Sequence, residues 1–221
     1  MKKKLYLIHT INQFMDMIYN PFAKPFLEEN EDFEIYNIAD DSLLPQTLEA
    51  GHLTESSAKR IMHYALAAES NGADGIMVTC TSVNEAAAYA RKFINVPMIN
   101  IDEPVAKKCV DAGAKIGILA TLPTSPIATL RLIKEEAARQ GKEIEPVIKV
   151  VDGAFDILCA GDRDKHDDLV REALAELAKE VDVITFAQIS MSQVKHDDPG
   201  VPLFKIGTSG FDAIKELINN K

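Results

Sequence analysis

The chain has 221 residues, 47% apolar and 26% charged, with a net charge of −10. That length supports one large domain or two small ones with real cores, and the composition is that of a globular protein. The acidic balance repels phosphate backbones and argues against a nucleic-acid partner. A small anion remains compatible, because a pocket sets its own local field. No apolar run approaches the length of a membrane span, and the stretch after Met1 is too short for a signal peptide. Three cysteines without metal-like spacing, Cys80, Cys109 and Cys159, read as reduced thiols in a cytoplasmic protein.

In chain order, "KLYLIHT" (4–10) predicts a buried strand. "NQFMDMIYNPF" (12–22) predicts a helix with Phe14, Met15, Ile18 and Tyr19 on its core-facing stripe. "FEIYNI" (33–38) is a second strand. Residues 40–54 suit a lid or short helix, with Pro45 and Gly51 as punctuation. Apolar residues at Ala58, Ile61, Met62, Ala65 and Leu66 mark a helix that stops at Gly72. "DGIMVTC" (74–80) is a third strand, followed by an alanine-rich helix from Asn84, and "VPMINI" (96–101) is a fourth.

The order then recurs. "KIGILAT" (115–121) answers to "KLYLIHT". A helix begins near Ile127, and "VIKVVDG" (147–153) answers to "IYNIADD". "HDDLVREALAELAKE" presents one apolar face. "DVITFAQ" (182–188) answers to "DGIMVTC", and "VPLFKIG" (201–207) to "VPMINID". An offset of about a hundred residues indicates a duplicated domain rather than a solenoid. Short β-branched runs separated by helices predict parallel sheets covered on both faces.

The expected fold is therefore α/β. It comprises two similar doubly wound lobes related by a pseudo-two-fold, with mainly parallel four-stranded sheets and an active-site cleft between them. The lobes are residues 1–105 and 106–210, with a last helix over 211–221 packing back on the first.

Ligands of open α/β sheets bind beyond the carboxyl ends of the strands. The residues there are His9, Thr10, Cys80, Thr81, Ser82, Asp102, Thr121, Thr124, Ser125, Gln188 and Ser190. Hydroxyls and helix-terminal N–H groups make a neutral cradle for a carboxylate, although Ser and Thr are also ordinary caps. Cys80 stands where a strand meets a helix, a setting that lowers a thiol pKa. Cys109 and Cys159 read as buried packing residues. "KHDD" occurs at 165–168 and 195–198. The first copy reads as a helix cap and the second as a loop before Pro199-Gly200. Neither spacing calls for a metal.

The two-lobed pattern, "DGIMVTCTS" closing the third strand and "KIGILATLPTS" opening the second lobe resemble the aspartate/glutamate/hydantoin racemase superfamily. The resemblance implies a cofactor-independent reaction on a small carboxylic acid. One cysteine removes the proton α to a carboxylate and a second returns a proton to the opposite face. It also implies a homodimer or higher homo-oligomer. Cys80 takes the first cysteine position. The second reads Gln188, which has no titratable proton. Three activities stay open on this basis: isomerisation with His9 serving the other face, decarboxylation, or cis–trans isomerisation through thiol attack. An inactive protein that binds a small acid is the alternative to all three.

Overall fold

The computed structural model describes residues 1–220. The chain forms two compact units. One comprises Met1–Glu103 together with the chain from Gly207 onward, and the other comprises Pro104–Ile206.

In the first unit, strand β1 is Lys3–His9. A π-helix, Met15–Ala23, runs into helix α1, Lys24–Glu29. Strand β2 is Phe33–Ala39, followed by α2 (Leu43–Ala50), α3 (Glu55–Ser70), β3 (Gly75–Val78), α4 (Asn84–Ala90) and β4 (Met98–Asn100). The sheet order is β2-β1-β3-β4, with every pairing parallel. Parallel strands buried on both faces need apolar residues at successive positions. β1 supplies them: Tyr6 and Ile8 enter a core with Ile61, Ala65, Ile76 and Val78. Leu5 and Leu7, also buried, alternate with them and point to the opposite face.

The second unit starts within α5 (Glu103–Ala112). It continues through β5 (Lys115–Ala120), α6 (Thr124–Gln140), β6 (Glu145–Val150), α7 (Ala154–Cys159), α8 (Arg163–Leu177), β7 (Val183–Phe186) and β8 (Leu203–Phe204). Its sheet order, β6-β5-β7-β8, repeats that of the first, again all parallel. Helix α9 (Thr208–Asn219) then packs on β3 and β4 of the first unit.

The repeat extends to individual hydrogen bonds. The acid before each third strand ties down the start of the first: Lys4 N donates to Asp74 Oδ2 at 2.7 Å, and Lys115 N to Asp182 Oδ2 at 2.8 Å. The twice-used Val-Pro serves one purpose. Pro97 O accepts from Ile76 N at 2.9 Å, and Pro202 O from Ile184 N at 2.8 Å. Proline lacks a donor but keeps its carbonyl, so it can open an edge strand while feeding the ladder beside it.

Several expectations need correction. The first helix is wound i→i+5, so its inward face is Met17, Ile18 and Ala23, while Met15 is exposed. Helix α6 begins at Thr124, a turn before Ile127, with Pro126 in the first turn where its missing N–H costs no bond. Of the two readings of residues 40–54, the short helix is the one present, as α2 (Leu43–Ala50). α2 buries Leu43, Leu44 and Thr47, and Asp40 before it accepts from Arg60 Nη1 at 2.6 Å and Tyr64 Oη at 2.7 Å. Cys159 is exposed, because the buried side of α7 is Ala154 and Leu158. α8 is capped by Asp162, whose side chain accepts from Lys165 N. His166 lies wholly buried one turn on, with Nδ1 2.7 Å from Asp167 Oδ1.

Candidate functional site

In each lobe the third strand ends in an extended residue that begins a single 3₁₀ turn. In the first lobe that residue is Cys80 (φ −134°, ψ 121°) before Thr81–Val83. In the second it is Gln188 (φ −143°, ψ 143°) before Ile189–Met191. The closing bonds match as well: Val83 N donates to Cys80 O and Met191 N to Gln188 O. Cys80 and Gln188 therefore hold the same position in the two halves of the duplication.

Around Cys80 the first lobe gathers Thr10, Thr81, Ser82 and Asp102, all buried. Burial pushes the Cys80 thiol above its ordinary value, and the Asp102 carboxylate adds to the rise. The Thr10 hydroxyl and the backbone N–H groups of Ser82 and Val83 act the other way, through hydrogen bonds to the sulfur. The expected lowering by a helix end is thus overturned. The following turn is only three residues long, so its dipole does not offset desolvation.

Asp102 is raised to about 7 by burial and by neighbouring Glu103, against hydrogen bonds from Asn84 and Thr81. Its Oδ2 accepts from Asn84 Nδ2 at 3.0 Å, while its buried Oδ1 has no partner among the described residues. Asn100, which the sequence reading passed over, donates from Nδ2 to Cys80 O at 3.0 Å and fixes the carbonyl behind the thiol. The signal was available: Asn100 is a polar residue inside the apolar run "MINI", buried completely. Asn84 was read only as the start of a helix.

His9 is fully buried. Its Nδ1 lies 2.9 Å from Thr79 Oγ1, its Nε2 2.9 Å from Asn37 Oδ1, and its ring stacks on Phe14 with centroids 4.2 Å apart. Burial drives its pKa down to about 4, against the bond to Asn37. His9 is a neutral ring at physiological pH with both nitrogens engaged. This setting suits bracing β1 against β2 and β3 rather than exchanging protons.

In the second lobe Gln188 Oε1 accepts from Thr121 N at 2.6 Å, Leu122 N at 3.0 Å and Thr121 Oγ1 at 3.2 Å. Backbone N–H groups require an acceptor, so the amide has only this orientation. Its Nε2 is then a buried donor without a partner, as is the Ser190 hydroxyl. Thr121, expected to hold substrate, spends its N–H and its hydroxyl proton on Gln188. Thr124 and Ser125 are buried in the first turn of α6. Cys109 is buried, and desolvation pushes it up to about 12, which makes it an inert packing thiol. Among the described residues no group of three His, Cys, Asp or Glu side chains could hold a metal ion, and no helix is long and apolar enough to cross a membrane.

These features define a class: an α/β protein of two similar lobes whose third strands end in matching turns. The sequence model of the Asp/Glu/hydantoin racemase family matches residues 23–214. The chain belongs to that family. Solved structures share the fold at low identity. The aspartate racemase homologue from Pyrococcus horikoshii is 16% identical over 99% of this chain and 100% of its own, with a TM-score of 0.69. Allantoin racemase from Klebsiella pneumoniae is 16% identical over 99% and 89%, TM-score 0.69. Glutamate racemase from Francisella tularensis, solved with D-glutamate, is 11% identical over 99% and 82%, TM-score 0.72. A search of curated proteins finds no match.

Proposed function

We propose that this chain is a cofactor-independent enzyme that moves a proton α to the carboxylate of a small carboxylic acid, with Cys80 as its working thiol. The observation that carries the reading is the setting of Cys80, at a strand end with a hydroxyl and two backbone N–H groups on its sulfur. Such donors stabilise negative charge at the thiolate.

Within the second unit, Gln188 offers an amide N–H and Ser190 a hydroxyl. These are donors to a carboxylate or carbonyl oxygen, not to carbon. A glutamine where the resemblance places a second cysteine favours proton transfer by one thiol over a two-thiol inversion. That leaves isomerisation, exchange and protonation after decarboxylation as the reactions in reach. The reading that the protein binds a small acid without turning it over draws on one specific observation, the absence of a titratable proton at Gln188.

The test is proton NMR in heavy water on both enantiomers of aspartate and glutamate, hydantoins, maleate and substituted malonates. Wild type and Cys80→Ser run side by side. We expect one compound to lose its α-proton signal or a carboxyl group with the wild type only. Perturbation of the protein's spectrum with no change in any compound would favour the binding protein.

A further inference from the structure

The first lobe contains a second titratable group that the reaction above leaves unused. Val78 and Asn100 are in-register partners of β3 and β4, and Ile101 N continues the ladder to Val78 O at 3.0 Å. Two residues further along each chain come Cys80 and Asp102. Both therefore lie two residues beyond the last paired positions of adjacent strands, and the Asp102 charge bears on the Cys80 thiol. Asn100 bridges the two segments, donating Nδ2 to Cys80 O at 3.0 Å.

The carboxylate is favoured by the Asn84 amide and the Thr81 hydroxyl. Oδ2 takes the Asn84 amide at 3.0 Å, and among the described residues the buried Oδ1 has no hydrogen-bond partner. A buried acceptor left in this state costs free energy that a proton or a donor would recover. No cation offsets the carboxyl directly. Glu103, at the start of α5, is itself paired with Arg91 at the end of α4. His9 is neutral, Glu85 of α4 is bonded to Tyr89, and Asp212 of α9 and Glu49 of α2 are exposed. Asp40 is tied to Arg60.

Resting on the reading of Cys80 as the working thiol, we propose that Asp102 is its proton partner: the carboxylate takes the thiol proton at Oδ1, and the thiolate so formed takes the proton of the bound acid. The steps balance. In the first, the S–H bond breaks and an O–H bond forms on Asp102, so the negative charge passes from oxygen to sulfur. In the second, the substrate C–H bond breaks, an S–H bond forms, and the electron pair stays on the substrate as an enolate. Reversal on the same face, or delivery of the thiol proton to a different carbon, completes the cycle. Asp102 regains its charge by returning its proton to the thiolate, which restores the resting thiol–carboxylate pair.

Throughout, the pair and the substrate's reacting centre together carry one negative charge. This matters in a pocket whose donors are all neutral, because two adjacent buried charges would be penalised twice, by desolvation and by repulsion. It also answers a difficulty of the site. A thiol raised by burial is a poor base unless a neighbour accepts its proton. Asp102 is a positioning and proton-accepting residue that acts through Cys80, not a group that contacts the reacting carbon.

The test needs no substrate. Iodoacetamide alkylation of Cys80 is followed by peptide mass spectrometry from pH 5 to 10, which separates Cys80 from exposed Cys159. A coupled pair titrates in two macroscopic steps. The wild type should therefore show a low plateau of reactivity that appears as Asp102 ionises, near pH 7, and a second rise above pH 9. Asp102→Asn should show one step only, and reactivity at pH 8 at least tenfold different from wild type. A single-step wild-type profile that Asp102→Asn leaves unchanged would overturn the pairing. The wild-type profile is decisive even if the variant folds poorly. A two-step profile in a protein that exchanges no acid in heavy water would sink the proposed function and leave the pair standing. Exchange with a one-step profile would do the reverse.

Discussion

His9 and Asp102 are buried groups of opposite habit. Folding lowers the pKa of His9 from 6.5 to about 4, so the unfolded chain binds the extra proton, and stability is lost as pH falls from about 6.5 towards 4. Folding raises Asp102 from 3.8 to about 7, so the folded chain binds the extra proton. Its contribution is fully present below about 3.8 and is lost as pH rises through 7. Between pH 7 and 4 each shift is worth about 3 kcal/mol, with contrary signs. We expect the two to offset in the wild type. His9→Gln should gain about 3 kcal/mol relative to wild type on going from pH 7 to pH 4, and Asp102→Asn should lose a similar amount. Urea denaturation at the two pH values measures both.

Both residues stood at predicted strand ends, so their neighbourhood was legible in the sequence. Their protonation was not. It depends on partners distant in the chain, Thr79 and Asn37 for His9 and Asn84 for Asp102, and on burial that only the packed lobe creates. Gln188 teaches the same lesson. Its lack of a titratable proton was plain from its identity. That its oxygen would occupy two backbone N–H groups, and so commit Thr121, required the fold.

At the scale of elements, strands and their order were readable because a parallel sheet buried on both faces demands uninterrupted apolar runs, and those runs repeat. The π-helix was not readable. An i→i+5 winding shifts the inward face off the 3.6-residue stripe, so Met17 takes the place expected for Met15. Helix starts were placed late for a related reason: Thr124 to Pro126 and Thr208 to Gly210 look like turn sequence, yet all are tolerated in a first turn.

Gly210 has a further role at that place. A Cβ there would lie 2.8 Å from Ile101 O and 3.1 Å from Ile101 Cα, both backbone atoms that cannot swing aside. The residue lets α9 sit directly on the end of β4, next to Asp102. Gly210→Ala is expected to cost about 2 kcal/mol by overpacking, visible as a lower urea midpoint at unchanged slope.

For the molecule as a whole, the duplication is the main fact the sequence disclosed. Four strand motifs, two acids tying sheet edges and two Val-Pro pairs recur in order. The two halves differ at many positions, and Cys80 against Gln188 is a difference that bears on chemistry. The first unit is discontinuous in sequence, since α9 completes it with Phe211, Ile214 and Ile218 buried. Phe211 lies against Phe26, which in turn meets Phe33 edge-on. Removing residues from 207 onward should strip hydrogen-exchange protection from β3 and β4 while β5 and β7 keep theirs, because the second unit has its own core.

The order of synthesis follows from the same helix. A ribosome delivers the chain from its amino end, and units fold as their parts emerge. The second unit has all its strands and helices by Ile206, whereas the first still lacks the cover for one face of its sheet. The lobe that begins first is finished last. While the second lobe is being made, the apolar surface of β3 and β4 that will meet Phe211 and Ile214 waits uncovered. In a growing chain, that is the surface on which a chaperone or a stray neighbour would first take hold.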